Sequence, residues 1–352
     1  CNLKKFNLLE EYNSVISNNN IINLISKIHE YKGKQSYLLN VKEETLETLL
    51  KIAKIESTSS SNKIEGISTT DKRINEIVNQ NLDPKNRNEE EIAGYRDVLS
   101  LIHDNYEFID INHNTILQLH RDLYKYTGYS YGGKFKNSQN YIEEIDDKGE
   151  KKIRFTPLSP FETPLAIDEL CKNYNELVQS ETCDLLVLIP IFIFDFVSIH
   201  PFNDGNGRMS RLLTLLLLYK ANYLVGKYIS IEKIIEDTKE SYYDALQKSS
   251  VNWYSNENNY SYFVEYYLGI ILRAYKELDS RIRIVDDKKI TSYDRITNVF
   301  KDNIIPIDKF FLISKCPDLS ETTIERILNT LLKEGKITKI SGGRYTKYKW
   351  NR

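Results

Sequence analysis

His200-Pro201-Phe202-Asn203-Asp204-Gly205-Asn206-Gly207-Arg208-Met209-Ser210-Arg211 is the stretch around which the rest of the chain is organised. Ahead of it, Leu185 to Ile199 is nearly all apolar and reads as a buried helix with Pro190 near its first turn. Behind it, Leu212, Leu213 and residues 215–218 read as a second buried helix. A polar loop pinned between two buried helices is a rigid mount for chemistry. Gly205 and Gly207 free the backbone to aim its N–H groups at one point. The following helix adds unpaired N–H groups and the positive end of its dipole, making an anion nest suited to phosphate. Arg208 and Arg211 stand three apart on that helix, and both can reach further phosphate oxygens. Asp204, beside the nest, is placed where a carboxylate would hold magnesium against phosphate oxygens. His200 has the ordinary pKa of a general base near neutrality. Base, metal ligand and anion cradle together describe phosphoryl or nucleotidyl transfer.

Each part alone has a bland explanation. A histidine at a helix end is commonly a cap, Gly-Asn-Gly a turn, and two arginines at this spacing a solvated face. Twelve residues at fixed spacing are a far stronger signal.

The string resembles the signature of the Fic family, His-Pro-Phe-x-Asp/Glu-Gly-Asn-Gly-Arg-x-x-Arg, at every fixed position. Family members are mostly adenylyltransferases that move AMP from ATP to a Ser, Thr or Tyr hydroxyl of a protein. The resemblance implies His200 as the base that takes the hydroxyl proton and Asp204 as the Mg2+ ligand. It implies Gly205, Asn206 and Gly207 around the α-phosphate, and Arg208 and Arg211 on the outer phosphates. The residues themselves lead to phosphate, metal and base; AMP enters only through the resemblance.

Composition sets the bounds. With 352 residues, 41% hydrophobic and 28% charged, the chain is long enough for two or three globular domains. Lys plus Arg is 48 against 50 for Asp plus Glu, so no global polyelectrolyte partner is implied. Cys1, Cys171, Cys183 and Cys316 lack metal or redox spacing and suit reduced thiols in a cytoplasmic protein. Asp195 interrupts the longest apolar run, 185–199, so no bilayer span and no membrane partner are expected. No basic-then-apolar leader opens the chain.

In chain order, residues 1–85 carry helical spacing, as in Ile21, Leu24, Ile25 and Ile28, then Leu46, Leu49, Leu50 and Ile52. Next comes Ser57-Thr58-Ser59-Ser60-Ser61-Asn62-Lys63-Ile64-Glu65-Gly66, which by composition alone is a Ser-rich loop. Beside the signature it resembles the family's inhibitory motif, Ser/Thr-x-x-x-Glu-Gly/Asn. Ser61 and Glu65 would share a helix face, and the resemblance implies that Glu65 pairs with Arg211 where the γ-phosphate should sit. Residues 71–88 suit a linker, and 89–125 are helical again. His103, His113 and His120 stand apart from any set with metal spacing and read as structural or surface residues. Gly132-Gly133-Lys134-Phe135-Lys136 departs from the family's Gly-x-Tyr/Phe-Arg in carrying lysine last.

Runs at 141–145 and 151–155 flank Asp146-Asp147-Lys148-Gly149, a hairpin turn signal. In the family a hairpin here, the flap, docks the target peptide as an added strand. Tyr242-Tyr243-Asp244-Ala245-Leu246 resembles the family's Tyr-Tyr-x-x-Leu, which implies Tyr243 against the adenine. The tail suggests helices at 296–300, at 310–313 and after a Ser320 cap, then a strand-turn-strand at 336–349. That is a winged-helix outline, with Lys336, Lys339, Arg344, Lys347 and Lys349 charging the wing. Glu321, Glu325 and Glu334 on the presumed recognition helix would repel phosphate, so DNA binding would be weak and a protein-contact or dimerisation role competes with it.

The expected architecture is all-α: an N-terminal helical region (1–88), a Fic helical core with a small β-hairpin flap (89–285), and a C-terminal winged helix-turn-helix (286–352). The expected activity is ATP- and Mg2+-dependent adenylylation of target proteins docked on the 141–155 hairpin, and of the chain itself, restrained by Ser61, Glu65 and Gly66. A homodimer is a candidate assembly. Competing readings are a nucleotide-sensing DNA-binding regulator, and a Fic enzyme that transfers UMP or phosphocholine or removes AMP.

Overall fold

A computed structural model describes residues 4–41, 43–145, 151–286, 291–303, 305–343 and 346–351. Helices dominate, as the sequence leads one to expect. Five precede the middle of the chain: α1 (Leu8–Ile16), α2 (Asn19–Leu38), α3 (Glu43–Ile64), α4 (Asp71–Asn79) and α5 (Arg87–Asn105). After α6 (His113–Leu123) the chain forms one antiparallel hairpin, β1 (Ile142–Ile145) with β2 (Lys151–Phe155). Its turn, 146–150, lies outside the described residues. Then follow α7 (Thr163–Ser180), α8 (Leu185–Ile199), α9 (Asn206–Lys220), α10 (Ile231–Asp237), α11 (Lys239–Ser250) and α12 (Ser261–Asp286).

The two apolar runs that bracket the signature are α8 and α9, and they form the centre of the largest core cluster. Asp184 starts α8 by accepting the Leu186 N–H on its side chain. From Leu186 to Phe196 every residue of α8 is buried, which is why its apolar residues recur without helical periodicity. Phe6, Leu8, Ile21, Ile28 and Leu49 belong to the same cluster, so the N-terminal helices pack on the core that carries the signature. A smaller cluster joins Ile55 of α3 to Ile74 and Ile77 of α4 and Ile92 of α5.

The tail has its own core: Ile296, Val299, Phe300, Leu312, Ile324, Leu328 and Leu331. It runs α13 (Ser292–Asp302), β3 (Ile307–Asp308), α14 (Lys309–Lys315), α15 (Glu321–Lys333), β4 (Ile337–Lys339) and β5 (Lys347–Trp350), with strand order β3-β5-β4. Ser320 caps α15 by accepting the Thr323 N–H, as its position suggested. The two-residue β3 is too short to leave a sequence signal. Arg344, one of the expected wing cations, lies outside the described residues. Phe310 packs on the α3–α5 cluster, and Lys315 pairs with Glu277 of α12 at 3.1 Å. Among the described residues no helix is long and apolar enough to cross a membrane.

Candidate active site

His200 closes α8 and Asn206 opens α9, so residues 201–205 form the loop between them. The loop is braced from within. Asn206 Oδ1 accepts the Phe202 N–H at 2.9 Å, and its Nδ2 donates to the Phe202 carbonyl at 2.8 Å. The Asn206 side chain is thus spent on shaping the loop; its backbone begins the helix. Gly205 has φ 84°, a conformation glycine holds without steric cost. Asp204 Oδ1 accepts the Gly205 N–H at 2.8 Å, and its side chain is half exposed. Among the described residues no group of three His, Cys, Asp or Glu side chains could hold a metal by themselves. A single exposed carboxylate still fits Mg2+, which is commonly bound by one or two carboxylates, substrate phosphates and water.

His200 holds a left-handed conformation, φ 52° and ψ 61°, that turns the chain out of α8. Its Nδ1 lies 3.2 Å from the Val197 carbonyl, which calls for the proton there and leaves Nε2 as a free lone pair. Burial pushes the imidazole down to about 4, helped by the positive Lys136 and opposed by the Val197 carbonyl, Glu65 and Asp204. The ring is therefore neutral at physiological pH, the form a base requires.

The Ser-rich string is helical through Ile64, and its serines are contacts rather than solvent groups. Ser57 donates to Glu232 at 2.8 Å and Ser60 to Glu236 at 2.6 Å, tying α3 to α10. Buried Glu232 also accepts from the Tyr95 hydroxyl at 2.9 Å, and burial raises its carboxyl above the usual range. Ser61 Oγ accepts from Arg211 Nε at 2.8 Å, and the Ser61 carbonyl accepts from Nη2 at 2.8 Å. The same Nη2 pairs with Glu65 Oε1 at 2.7 Å. Gly66, φ 78°, follows immediately, and Lys239 caps the helix end by donating to the Ile64 carbonyl at 3.0 Å. A methyl group on Gly207 would come within 2.1 Å of Glu65 Oε1. The Glu65 carboxylate therefore rests on the first turn of α9, where the dipole favours an anion.

These groups open into a cavity of about 810 Å³, lined by Glu65, His200, Gly207, Arg211 and Tyr243 and, from the hairpin, Ile142, Glu143, Arg154 and Phe155. Arg154 donates to the Tyr243 carbonyl at 3.0 Å, fastening hairpin to α11. Arg208 is placed differently from Arg211. It is buried beneath the loop, where Nη2 meets the Tyr124 hydroxyl at 2.6 Å and Glu91 Oε2 at 2.8 Å, with Asp204 at 3.9 Å. Neither Arg208 nor Asp204 lines the cavity that holds Arg211. Helical spacing put both arginines near one face but could not reveal which neighbours each would meet.

Four further residues shape the site. His120 donates from Nε2 to the Asp204 carbonyl at 2.9 Å, accepts the Gly133 N–H on Nδ1 at 3.0 Å, and stacks on Phe202 at 3.7 Å. Burial holds that ring near 4, so it is neutral with one fixed tautomer. Lys136 and Asn140 bind the carbonyls around His200, and Glu91 anchors Arg208. In the sequence Lys136 stood out as a departure from the family pattern and His120 read as a structural or surface residue. Asn140 and Glu91 gave no local signal.

In this helical protein a neutral imidazole, a guanidinium and a helix N-terminus covered by the Glu65 carboxylate surround one cavity. Residues 110–218, which include the whole signature, match the Fic/DOC family model. The chain is similar to protein adenylyltransferase Fic of Drosophila yakuba, 32% identical over 115 residues, 33% of this chain and 21% of that protein. It is also similar to protein adenylyltransferase fic-1 of Caenorhabditis elegans, 28% identical over 126 residues, 36% and 22% of the two chains. The chain thus spans about a fifth of the length of these curated relatives. In fold it resembles a Fic family protein of Desulfovibrio desulfuricans G20, with TM-score 0.60, 20% identity, and coverage of 95% of this chain and 96% of that one. A Fic domain-containing signaling protein of Bacteroides thetaiotaomicron gives TM-score 0.61 at 23% identity, over 75% and 97%.

Proposed function

We propose that this protein is a protein adenylyltransferase, with its catalytic core in residues 89–285, and that Glu65 restrains it. The observation that carries the reading is the 2.7 Å pair between Arg211 and Glu65, set over Gly207 in the cavity that His200 also lines. In the reaction the target hydroxyl oxygen attacks the α-phosphorus of ATP, its proton passes to His200 Nε2, and the bond to the β-phosphate oxygen breaks to release pyrophosphate. Arg211 and the N–H groups opening α9 hold phosphate charge, and Tyr243 walls the base. Mg2+ held by Asp204 would neutralise charge on the leaving phosphates. The hairpin presents the target as an added strand.

The test is incubation of Glu65→Gly protein with each of the four labelled nucleoside triphosphates and a lysate of candidate targets. Label passing to protein from ATP alone is the expected result. Transfer chiefly from UTP, or from none of the four, sinks the adenylyl assignment.

A second reading concerns residues 286–352. The sequence set Glu321 and Glu325 against DNA binding, yet both are paired with Lys309, at 3.3 and 2.8 Å. With one of those two charges offset by Lys309, we propose that the tail binds duplex DNA weakly through its exposed strand lysines, Lys339 and Lys347. Retardation of duplex DNA at low salt, weakened by replacing both lysines with alanine, is expected; its absence at low salt removes DNA as a partner.

A further inference from the structure

A helix leaves its final four carbonyls without internal partners, and those of α8 lie directly beneath His200. Phe196 O accepts the His200 N–H at 3.1 Å, and Val197 O faces His200 Nδ1. The Ile199 carbonyl accepts from the ammonium of Lys136 at 3.0 Å. That ammonium also donates to Asn140 Oδ1 at 2.9 Å. An ammonium offers only donors, so it fixes which end of the Asn140 amide faces it. Asn140 Nδ2 is left to donate to the His200 carbonyl at 3.2 Å and the Phe202 carbonyl at 2.9 Å. The Lys136 N–H completes the set on the Pro201 carbonyl at 2.8 Å. Lys136, 3% exposed, therefore holds the backbone from residue 199 to 202: its ammonium binds residue 199 and, through Asn140, residues 200 and 202, and its own N–H binds residue 201. Within that backbone His200 keeps a left-handed conformation that a non-glycine residue holds only when its surroundings over-determine it.

We propose that Lys136 is a positioning residue for His200, and that its positive charge is what keeps the base in working geometry. Charge-assisted hydrogen bonds are roughly twice as strong as neutral ones, and a cation is favoured at the C-terminal end of a helix. Neutralising the ammonium weakens both and releases the Asn140 amide from its set orientation. The ionisable groups facing it are Glu162, whose carboxylate is engaged by Ser159, and the neutral ring of His200. Burial lowers the Lys136 ammonium to about 8, against the attraction of Glu162. The charge is thus present at neutral pH and lost as pH rises through about 8, and the geometry of His200 follows it. Fold stability moves the other way. An unfolded lysine keeps its proton to about 10.5, so this group's contribution to stability rises between about 8 and 10.5. A rate that falls in that window is not unfolding.

The kinetic test rests on the adenylyl-transfer reading; a second, spectroscopic test does not. Turnover is measured from pH 6.5 to 9.5 in the Glu65→Gly background, with Lys136 intact, Lys136→Arg and Lys136→Met. With Lys136 intact, kcat should fall about tenfold around pH 8 while KM for ATP changes little, a loss of roughly 1.4 kcal/mol. Lys136→Arg, whose guanidinium does not titrate there, should lose that fall, and Lys136→Met should sit on the low plateau throughout. In parallel the ring C–H resonance of His200, one of five histidines, is followed by NMR in the unaltered protein. It should show a second inflection near pH 8 that Lys136→Met abolishes. An Arg variant with the original alkaline fall, a Met variant at full rate, or a His200 resonance flat through pH 8 overturns the proposal. If no nucleotide supports transfer, the adenylyl assignment fails and the NMR result alone decides Lys136; if the variants do not fold, the unaltered protein's resonance still decides it.

Discussion

Glu65→Gly is expected to raise AMP transfer to targets, and self-modification, on the order of a hundredfold. The Glu65 carboxylate holds Arg211 at 2.7 Å and lies on Gly207, so a triphosphate can enter only with its outermost phosphate displaced. Displacement carries the α-phosphorus out of line with the attacking hydroxyl, and a misplacement of about 1 Å can cost ~10²-fold. Glycine removes the carboxylate, adds no bulk and follows the last turn of α3, so the Ser57, Ser60 and Ser61 contacts stay in place. Arg211→Ala should act in the opposite direction, because the guanidinium that Glu65 occupies is the one the productive triphosphate needs. The double variant should stay low. A Glu65 with a merely structural role predicts no such asymmetry, since losing its ion pair would leave the rate unchanged or reduce it. Autoadenylylation at matched folded concentration decides, and an unchanged rate in Glu65→Gly removes the inhibitory role.

His200→Ala, in the same activated background, should lower transfer about 10²- to 10⁴-fold while ATP binding is retained. The role depends on one tautomer. With the Nδ1 proton given to the Val197 carbonyl, Nε2 is the lone pair that can accept from a hydroxyl. Burial keeps the ring neutral down to about 4, so the acid limb of the rate should fall well below the ordinary histidine range near 6.5. The sign is that of a base: activity is present above the folded pKa and lost as pH falls through it. Calorimetric ATP affinity measured beside the rate separates loss of the base from loss of binding. A variant that keeps the full rate removes His200 from the chemistry.

What could be read from the sequence was what repeats along it or stands close together in it. The signature helices were legible because α8 is apolar on all sides and α9 carries an unbroken leucine run at 215–218, and the hairpin because β-prone runs flank a turn signal in the sequence. Glu65 opposite Arg211 was legible only through a family pattern, since 146 residues separate the two. Composition by itself pointed the wrong way at 57–61. Serines are common in loops, and nothing local says that three of these would each find a buried or half-buried partner on α9 or α10. The same limit hid Glu91 and Asn140, and the partners of His120. Each side chain reaches the signature across sixty or more positions of sequence, and such contacts are set by packing. Arg208 shows the converse. Its place on α9 was evident, but its direction was decided by Tyr124 and Glu91, which approach from α5 and the end of α6.

On the proposed reading, the carboxylate lying on Gly207 turns nucleotide entry from the filling of a vacancy into an exchange of one anion for another. For a ligand that must take Arg211, the apparent dissociation constant is the intrinsic one divided by the fraction of molecules in which Glu65 has withdrawn. A nucleotide without the outermost phosphate makes no claim on that guanidinium, and its affinity is independent of where Glu65 stands. On that reading the contest should discriminate against triphosphate and not diphosphate, and anything that frees the end of α3 should shift that preference before it changes any catalytic group.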